Sequence, residues 1–271
     1  MYEEYWGFKE KPFQNTPDPR FFYESSEHEE VLAKMLYTIE EGLGAGMLTG
    51  VFGCGKTLIG EALFERLPGD RYKTAFITNP QLEYVEFLRA IVRNLKAVEL
   101  PTKKTELSAD SMLEMLGNIL ENNVRDGKDT IVIVDEAHII KDAQIFEELR
   151  LLLNFQRRDK FLLTLLLFGQ PELKQKIEDN KQLEQRIAIK CHLEAFNYND
   201  TYNYIIHRLR IAEGVESIFD ESAFKIIHSR SGGIPRRINR ACDLSLLVGM
   251  HKNIKSINEK IVEEALRSLG G

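Results

Sequence analysis

The chain has 271 residues, 43% hydrophobic and 29% charged, with a formal net charge of −6. This describes a globular protein with a real core, one large domain or a medium one with a small one, and excludes a uniformly basic nucleic-acid surface, leaving room only for local basic patches. No stretch approaches the roughly 20 apolar residues of a membrane helix, the opening MYEEYWGFKEKPF lacks a basic-then-apolar leader, and Cys54, Cys191 and Cys242, far apart and without a CxxC pair, read as buried, reduced thiols of a cytoplasmic protein.

Residues 1–24 mix Tyr5, Trp6, Phe8, Phe13, Phe21, Phe22 and Tyr23 with Pro12, Pro17 and Pro19. The prolines remove donors and fix φ, so no regular helix is expected. The aromatics are too many for a disordered tail, so the segment should pack as an extended arm on the next domain. Ser25 or Ser26 caps a helix to about Glu41, with Val31, Leu32, Met35, Leu36 and Ile39 on one face and Gly42 and Gly44 ending it. GMLTG then reads as a buried strand running into a glycine loop, and residues 57–67 as the helix that follows.

KTAFITN (73–79) is a second strand, residues 81–96 a helix, 97–109 a polar loop and 108–123 a further helix. DTIVIVDEAH (129–138) is a third strand with its turn, 143–157 a helix, FLLTLLLFG (161–169) a fourth strand and KCHLEAF (190–196) a fifth. Strands alternating with helices, several apolar throughout, imply an α/β fold with a five-stranded parallel sheet covered on both faces. From Phe196 the pattern is helical only, at 199–213, 221–230, 235–250 and 258–268. The expected division is an arm at 1–24, an α/β core at 25–197 and a small all-helical lid at 198–271, with no internal repeat.

GVFGCGKT, residues 50–57, fits the pattern G-x-x-x-x-G-K-[ST] through Gly50, Gly55, Lys56 and Thr57. Glycines let the backbone curl so that successive N–H groups face a phosphate, and the next helix adds the positive end of its dipole. Gly53, Cys54 and Leu58 complete the loop, Cys54 as a small filler whose backbone matters more than its thiol. Lys56 reaches the β- and γ-phosphates of ATP or ADP, and the Thr57 hydroxyl suits Mg²⁺. The alternative, a plain glycine turn, is disfavoured because a strand precedes the loop and a helix follows it. In IVIVDEAH, Asp135 leaves a buried strand at its C-terminal end, where it would hold Mg²⁺ through water, and Glu136 would polarise the attacking water as general base. A solvated acidic turn is the competing reading.

The opening WGFKEKPFQNTPDPRFFY, the GVFGCGKT loop, VDEAH, LFGQPEL, LEQRI and SGGIPRRIN, in this order and spacing, resemble AAA+ ATPases of the ExeA/GspA type of the general secretion pathway. The resemblance runs to about Leu266 and implies the P-loop three-layer core followed by a helical lid. It implies that Gln170 is the sensor 1 residue, against a simple turn glutamine before Pro171. It implies that Arg186 is an arginine finger reaching a neighbouring subunit, against a surface arginine like Arg208 or Arg210. It further implies that Arg236, or its neighbour Arg237, is sensor 2, and that Phe13, Thr16 and Pro17 border the adenine. Members of this family often continue into a transmembrane helix and a periplasmic peptidoglycan-binding region. This chain ends in SLGG and is expected to be the ATPase domain alone or a shorter homologue.

The function that follows is Mg²⁺-dependent ATP hydrolysis by a ring or filament of identical subunits. It would power or switch assembly or transport of an envelope secretion component, in the cytoplasm and near the inner membrane through a partner or a further C-terminal segment. The alternative is an ATP-gated DNA-binding regulator of the transposition type; the acidic total disfavours DNA. The DEAH string, shared with helicases, is weak without a second helicase domain. RRDK (157–160) reads as a solvated turn rather than a DNA contact. A structural scaffold with a relic site is disfavoured by the intact Lys56, Asp135 and Glu136.

Overall fold

A computed structural model describes residues 2–16, 18–95, 108–157 and 160–269. Most of the loop expected at 97–109, and residues 158–159 of RRDK, lie outside the described residues. The described chain divides into two compact units.

The first unit comprises Glu27–Val51 and Ile59–Leu193. Its strands are β1 (Ala45–Gly50), β2 (Tyr72–Ile77), β3 (Asp129–Val134), the short pair β4 (Gln156–Arg157) and β5 (Lys160–Phe161), then β6 (Leu163–Gly169) and β7 (Ile187–Leu193). Five of them form a sheet in the order β2-β3-β6-β1-β7, parallel at every pairing. β1 and β6 are buried at every position, which is why their sequences do not alternate, whereas the edge strand β7 alternates.

On one face, Val132, Val134, Leu165 and Leu167 share a core with Phe87, Ile91, Leu116, Ile119 and Leu149. These come from α4 (Tyr84–Asn94), α5 (Ala109–Arg125) and α6 (Ala143–Leu152). On the other face lie α2 (Ser26–Glu40) and α3 (Lys56–Arg66). A Cβ at Gly46 would stand 3.4 Å from Met35 Sδ of α2, and one at Gly60 would stand 2.8 Å from the Phe76 ring. The sheet between two helical layers is the three-layer α/β core that the sequence implies.

The expected helix 143–157 stops at Leu152, and the chain makes a small antiparallel hairpin instead. Phe155 is the cause: its ring sits where a side chain on Gly117 would be, 3.0 Å from an added Cβ, and its carbonyl accepts from the N–H of Leu162 at 2.9 Å. After β6 come α7 (Glu172–Asp179) and α8 (Lys181–Glu184).

The second unit gathers Met1–Ser26, Phe52–Leu58 and Glu194–Gly271. Its helices are α1 (Glu3–Trp6), α9 (Tyr198–Ile211), α10 (Glu221–Ser231), α11 (Pro235–His251) and α12 (Glu259–Leu269), with a 3₁₀ turn at Pro19–Phe21. The arm contains one helical turn, which the sequence reading does not anticipate; it precedes Pro12, so no proline opposes it. The arm packs on the C-terminal helices. Tyr2, Trp6, Phe8 and Phe13 are buried with Leu209, Phe219 and Leu246. The Trp6 indole donates to the Leu246 carbonyl at 3.0 Å, and buried Arg208 donates to the carbonyls of Pro12 (2.5 Å) and Gln14 (3.0 Å). Among the described residues no helix is long and apolar enough to cross a membrane.

Candidate nucleotide-binding site

β1 ends at Gly50, and the loop that leaves it turns through left-handed backbone at Gly53 (φ 86°) and Gly55 (φ 109°) before α3 opens at Lys56. A side chain is disfavoured at both glycines on conformational grounds. At Gly53 it is also blocked, since a Cβ would lie 2.8 Å from Cβ of Arg236. Lys56 and Cys54 are buried, at 4% and 1% exposure, and Thr57 and Leu58 are half-buried in the first turn. A glycine curl delivering amides and a lysine to a helix N-terminus is a phosphate cradle.

The start of α11 packs on this loop. The Arg236 N–H donates to the Gly53 carbonyl at 3.3 Å, and its guanidinium covers the Phe52 ring, 4.7 Å from the centroid. Arg237 instead lines a cavity of about 210 Å³ with Arg230 and Arg240. Gly233 sets the entry to α11: at φ 73° a Cβ there would fall 1.9 Å from the Phe196 carbonyl oxygen.

The second group of residues stands at the C-terminal edge of the sheet. β6 lies between β1 and β3, so Gly50, Asp135 and Gln170 leave neighbouring strand ends. Asp135 is 2% exposed; its N–H donates to the Ile77 carbonyl, and its Oδ1 accepts the Glu136 N–H at 2.8 Å. Glu136 takes left-handed backbone (φ 53°), which costs a non-glycine residue roughly 1 kcal/mol, and caps a 3₁₀ turn at Ala137–Ile139. Gln170 Nε2 lies 2.9 Å from His138 Nε2, and His138 Nδ1 lies 3.3 Å from Glu136 Oε2.

The remaining candidates are dispersed. Arg186, between α8 and β7, is partly exposed and makes a long hydrogen bond to Asn154 Oδ1 at 3.4 Å. Arg208 is buried, with donors engaged by the arm and the Tyr204 hydroxyl, and Arg210 pairs with Glu216 at 2.5 Å. The Phe13 ring is 2% exposed and meets Phe219 edge-on at 6.1 Å, while Thr16 is exposed. Pro17 lies outside the described residues.

Two residues near these groups escape sequence reasoning. Glu61, one turn after Thr57 on α3, has a buried Oε2 with no hydrogen bond among the described residues. Burial first, then the charges of Glu65 and Asp135, push its carboxyl pKa up. Its signal is only the Glu in GKTLIGE. The other is His138. Asp135, at the strand end, supplies a hard oxygen donor of the kind that suits a small divalent cation. Among the described residues no cluster of His, Cys, Asp and Glu would hold a metal by itself.

A glycine phosphate loop after one strand of a parallel sheet, with an Asp-Glu pair two strands away, defines a P-loop nucleotide-binding ATPase. Residues 39–177, just over half the chain, match the family model for the AAA domain, and the chain belongs to that family. It is similar to General secretion pathway protein A of Aeromonas hydrophila, 37% identical over 258 residues, which cover 93% of this chain and 46% of that protein. The chain thus spans about half the length of that curated relative. Among solved structures it resembles the Aeropyrum pernix ORC2 protein in its ADPNP–ADP complexes, with a TM-score of 0.71 at 20% identity over 96% of this chain and 72% of that one. The RuvB Holliday junction branch migration motor of Thermotoga maritima follows with a TM-score of 0.57 at 18% identity, covering 89% of this chain and 69% of that one. These two likenesses are of fold.

Proposed function

We propose that the chain hydrolyses ATP with Mg²⁺ in a homo-oligomer, and that hydrolysis powers or switches assembly or transport of an envelope secretion component. The observation that carries this reading is the left-handed Gly53–Gly55 loop that follows β1 and opens α3, with β1 separated by one strand, β6, from β3, after which Asp135 and Glu136 stand. Residues 50–58 bind the phosphates, Lys56 as a point charge on the β- and γ-phosphates. Thr57, and Asp135 through water, would hold the cation, which when bound would neutralise charge on the phosphate oxygens. Glu136 takes a proton from the attacking water, Gln170 contacts the γ-phosphate or that water, and Arg236 closes on the phosphate loop it already touches. Phe13, Thr16 and Pro17 are assigned to the adenine border by family resemblance, with Thr16 the exposed member of the described pair.

Arg186, partly exposed and only loosely held, serves a neighbouring subunit's nucleotide. Functionally the chain divides into the arm (1–24), the ATPase core (25–197) and the lid (198–271). The secretion role rests on the likeness to General secretion pathway protein A and implies a membrane-bound partner and a place at the cytoplasmic face of the membrane.

Phosphate release measured against protein concentration, with Arg186→Ala beside the native chain and with or without duplex DNA, tests this. A rate per subunit that rises with concentration, and is lost in the variant, is expected. Turnover that depends on DNA and falls steeply with salt would favour an ATP-gated DNA-binding regulator instead.

A further inference from the structure

His138 touches both Glu136 and Gln170, and the chemistry of its ring makes that contact directional. An amide nitrogen only donates, so the 2.9 Å contact of Gln170 Nε2 with the ring Nε2 is a hydrogen bond in the tautomer that carries its proton on Nδ1. Nδ1 is 3.3 Å from Glu136 Oε2, buried, and without an aligned hydrogen bond among the described residues.

The surrounding backbone holds the ring in place. Lys176 Nζ on α7 donates to the carbonyls of His138 (2.5 Å) and Ile140 (2.6 Å), tying the 3₁₀ turn to the helix that follows Gln170. At the end of β6, a Cβ on Gly169 would lie 3.2 Å from the His138 backbone nitrogen, so the strand end and the turn abut. The contact between His138 and Gln170 is thus framed on both sides by main chain.

Resting on the reading of Glu136 as general base and Gln170 as γ-phosphate contact, we propose that His138 is a positioning residue that joins the two. Its Nε2 engages one N–H of the Gln170 amide and leaves the second for the phosphate or the water. Its Nδ1–H holds the Glu136 carboxylate in the orientation that receives the proton of water. Whether Gln170 is engaged is thereby transmitted to Glu136 through one ring, and hydrolysis is tied to the presence of the terminal phosphate.

The test uses the full chain, steady-state phosphate release from MgATP, and equilibrium binding of a fluorescent non-hydrolysable ATP analogue. His138→Ala is expected to lower kcat about 10- to 100-fold, the scale of a misplaced catalytic group, with analogue affinity unchanged. The amide of Asn falls near the position of ring Nδ1 and that of Gln near Nε2. His138→Asn is therefore expected to recover more of kcat than His138→Gln, because it keeps a donor to Glu136. The losses in His138→Ala and Gln170→Ala are expected not to multiply in the double variant. A wild-type kcat in His138→Ala, equal rates in the Asn and Gln variants, or multiplying losses would each overturn the proposal. Should the alanine variant fail to fold, the Asn and Gln pair decides alone. Glu136→Gln at full rate would overturn the underlying assignment of the base; Glu136→Gln inactive with His138→Ala at full rate would overturn the bridge only.

Discussion

Arg236 lays its guanidinium on the ring of Phe52, 4.7 Å from the centroid, while its main-chain N–H donates to Gly53 at 3.3 Å. Two adjacent arginines at the start of α11 cannot face the same way, and this contact separates them: Arg236 meets the phosphate loop, and Arg237 faces a different cavity. Arg236→Ala is expected to lower ATP turnover about tenfold or more through loss of a charge on the transferring phosphoryl group. Arg237→Ala is expected to leave turnover unchanged. Parallel phosphate-release assays on the two variants check this, and the reverse pattern would reassign the role.

Trp6 anchors the arm with a buried ring, 7% exposed, and an indole N–H satisfied by the Leu246 carbonyl. Gly249 leaves it room, since a Cβ there would stand 2.8 Å from the ring. Trp6→Ala removes a large buried side chain and leaves a cavity against α11, so it is expected to cost about 3–5 kcal/mol. Tyr37→Ala, at a site 53% exposed, is expected to stay within about 0.5 kcal/mol. Urea denaturation of both variants measures the difference.

His207 gives the stability of the helical unit a pH dependence. Burial first, then the Arg208 charge, hold its imidazole below the ordinary range, against a partial opposing hydrogen bond to the Arg20 carbonyl. The unfolded chain therefore takes up this proton near pH 6.5, before the native state does. Stability from this group is full above that pH and is lost as pH falls through the native pKa. His207→Gln is expected to flatten the fall in Tm between about pH 7 and 5, as read by thermal denaturation across that range; an unchanged profile would show that His207 does not control it.

The sheet is legible in the sequence because its inner strands are apolar at every position. FLLTLLLFG has no alternation, and β6 has no exposed residue. The glycine loop is legible because its shape demands residue types at fixed spacing. The strand pair of 156–157 with 160–161 is not, since two-residue strands carry no period and its place depends on Phe155 finding the gap at Gly117. The bridge through His138 is hidden for a different reason. In DEAH the histidine stands two residues past Glu136, and only the left-handed turn at Glu136 together with the end of β6 brings it to Gln170. The arm's attachment to helices at the far end of the chain is equally non-local. Its aromatics signal burial, but the expectation that it packs on the next domain in sequence is corrected here: its partners are the helices at the far end of the chain, which no local pattern names.

The most direct measurement is MgATP turnover and ATP binding in Glu136→Gln beside Lys56→Ala. Removing the general base while keeping the phosphate loop is expected to leave ATP binding intact and to lower turnover by about 100-fold or more, whereas Lys56→Ala is expected to weaken binding itself. Wild-type turnover in Glu136→Gln, or no binding of ATP by the native chain, would contradict the assignment of this site.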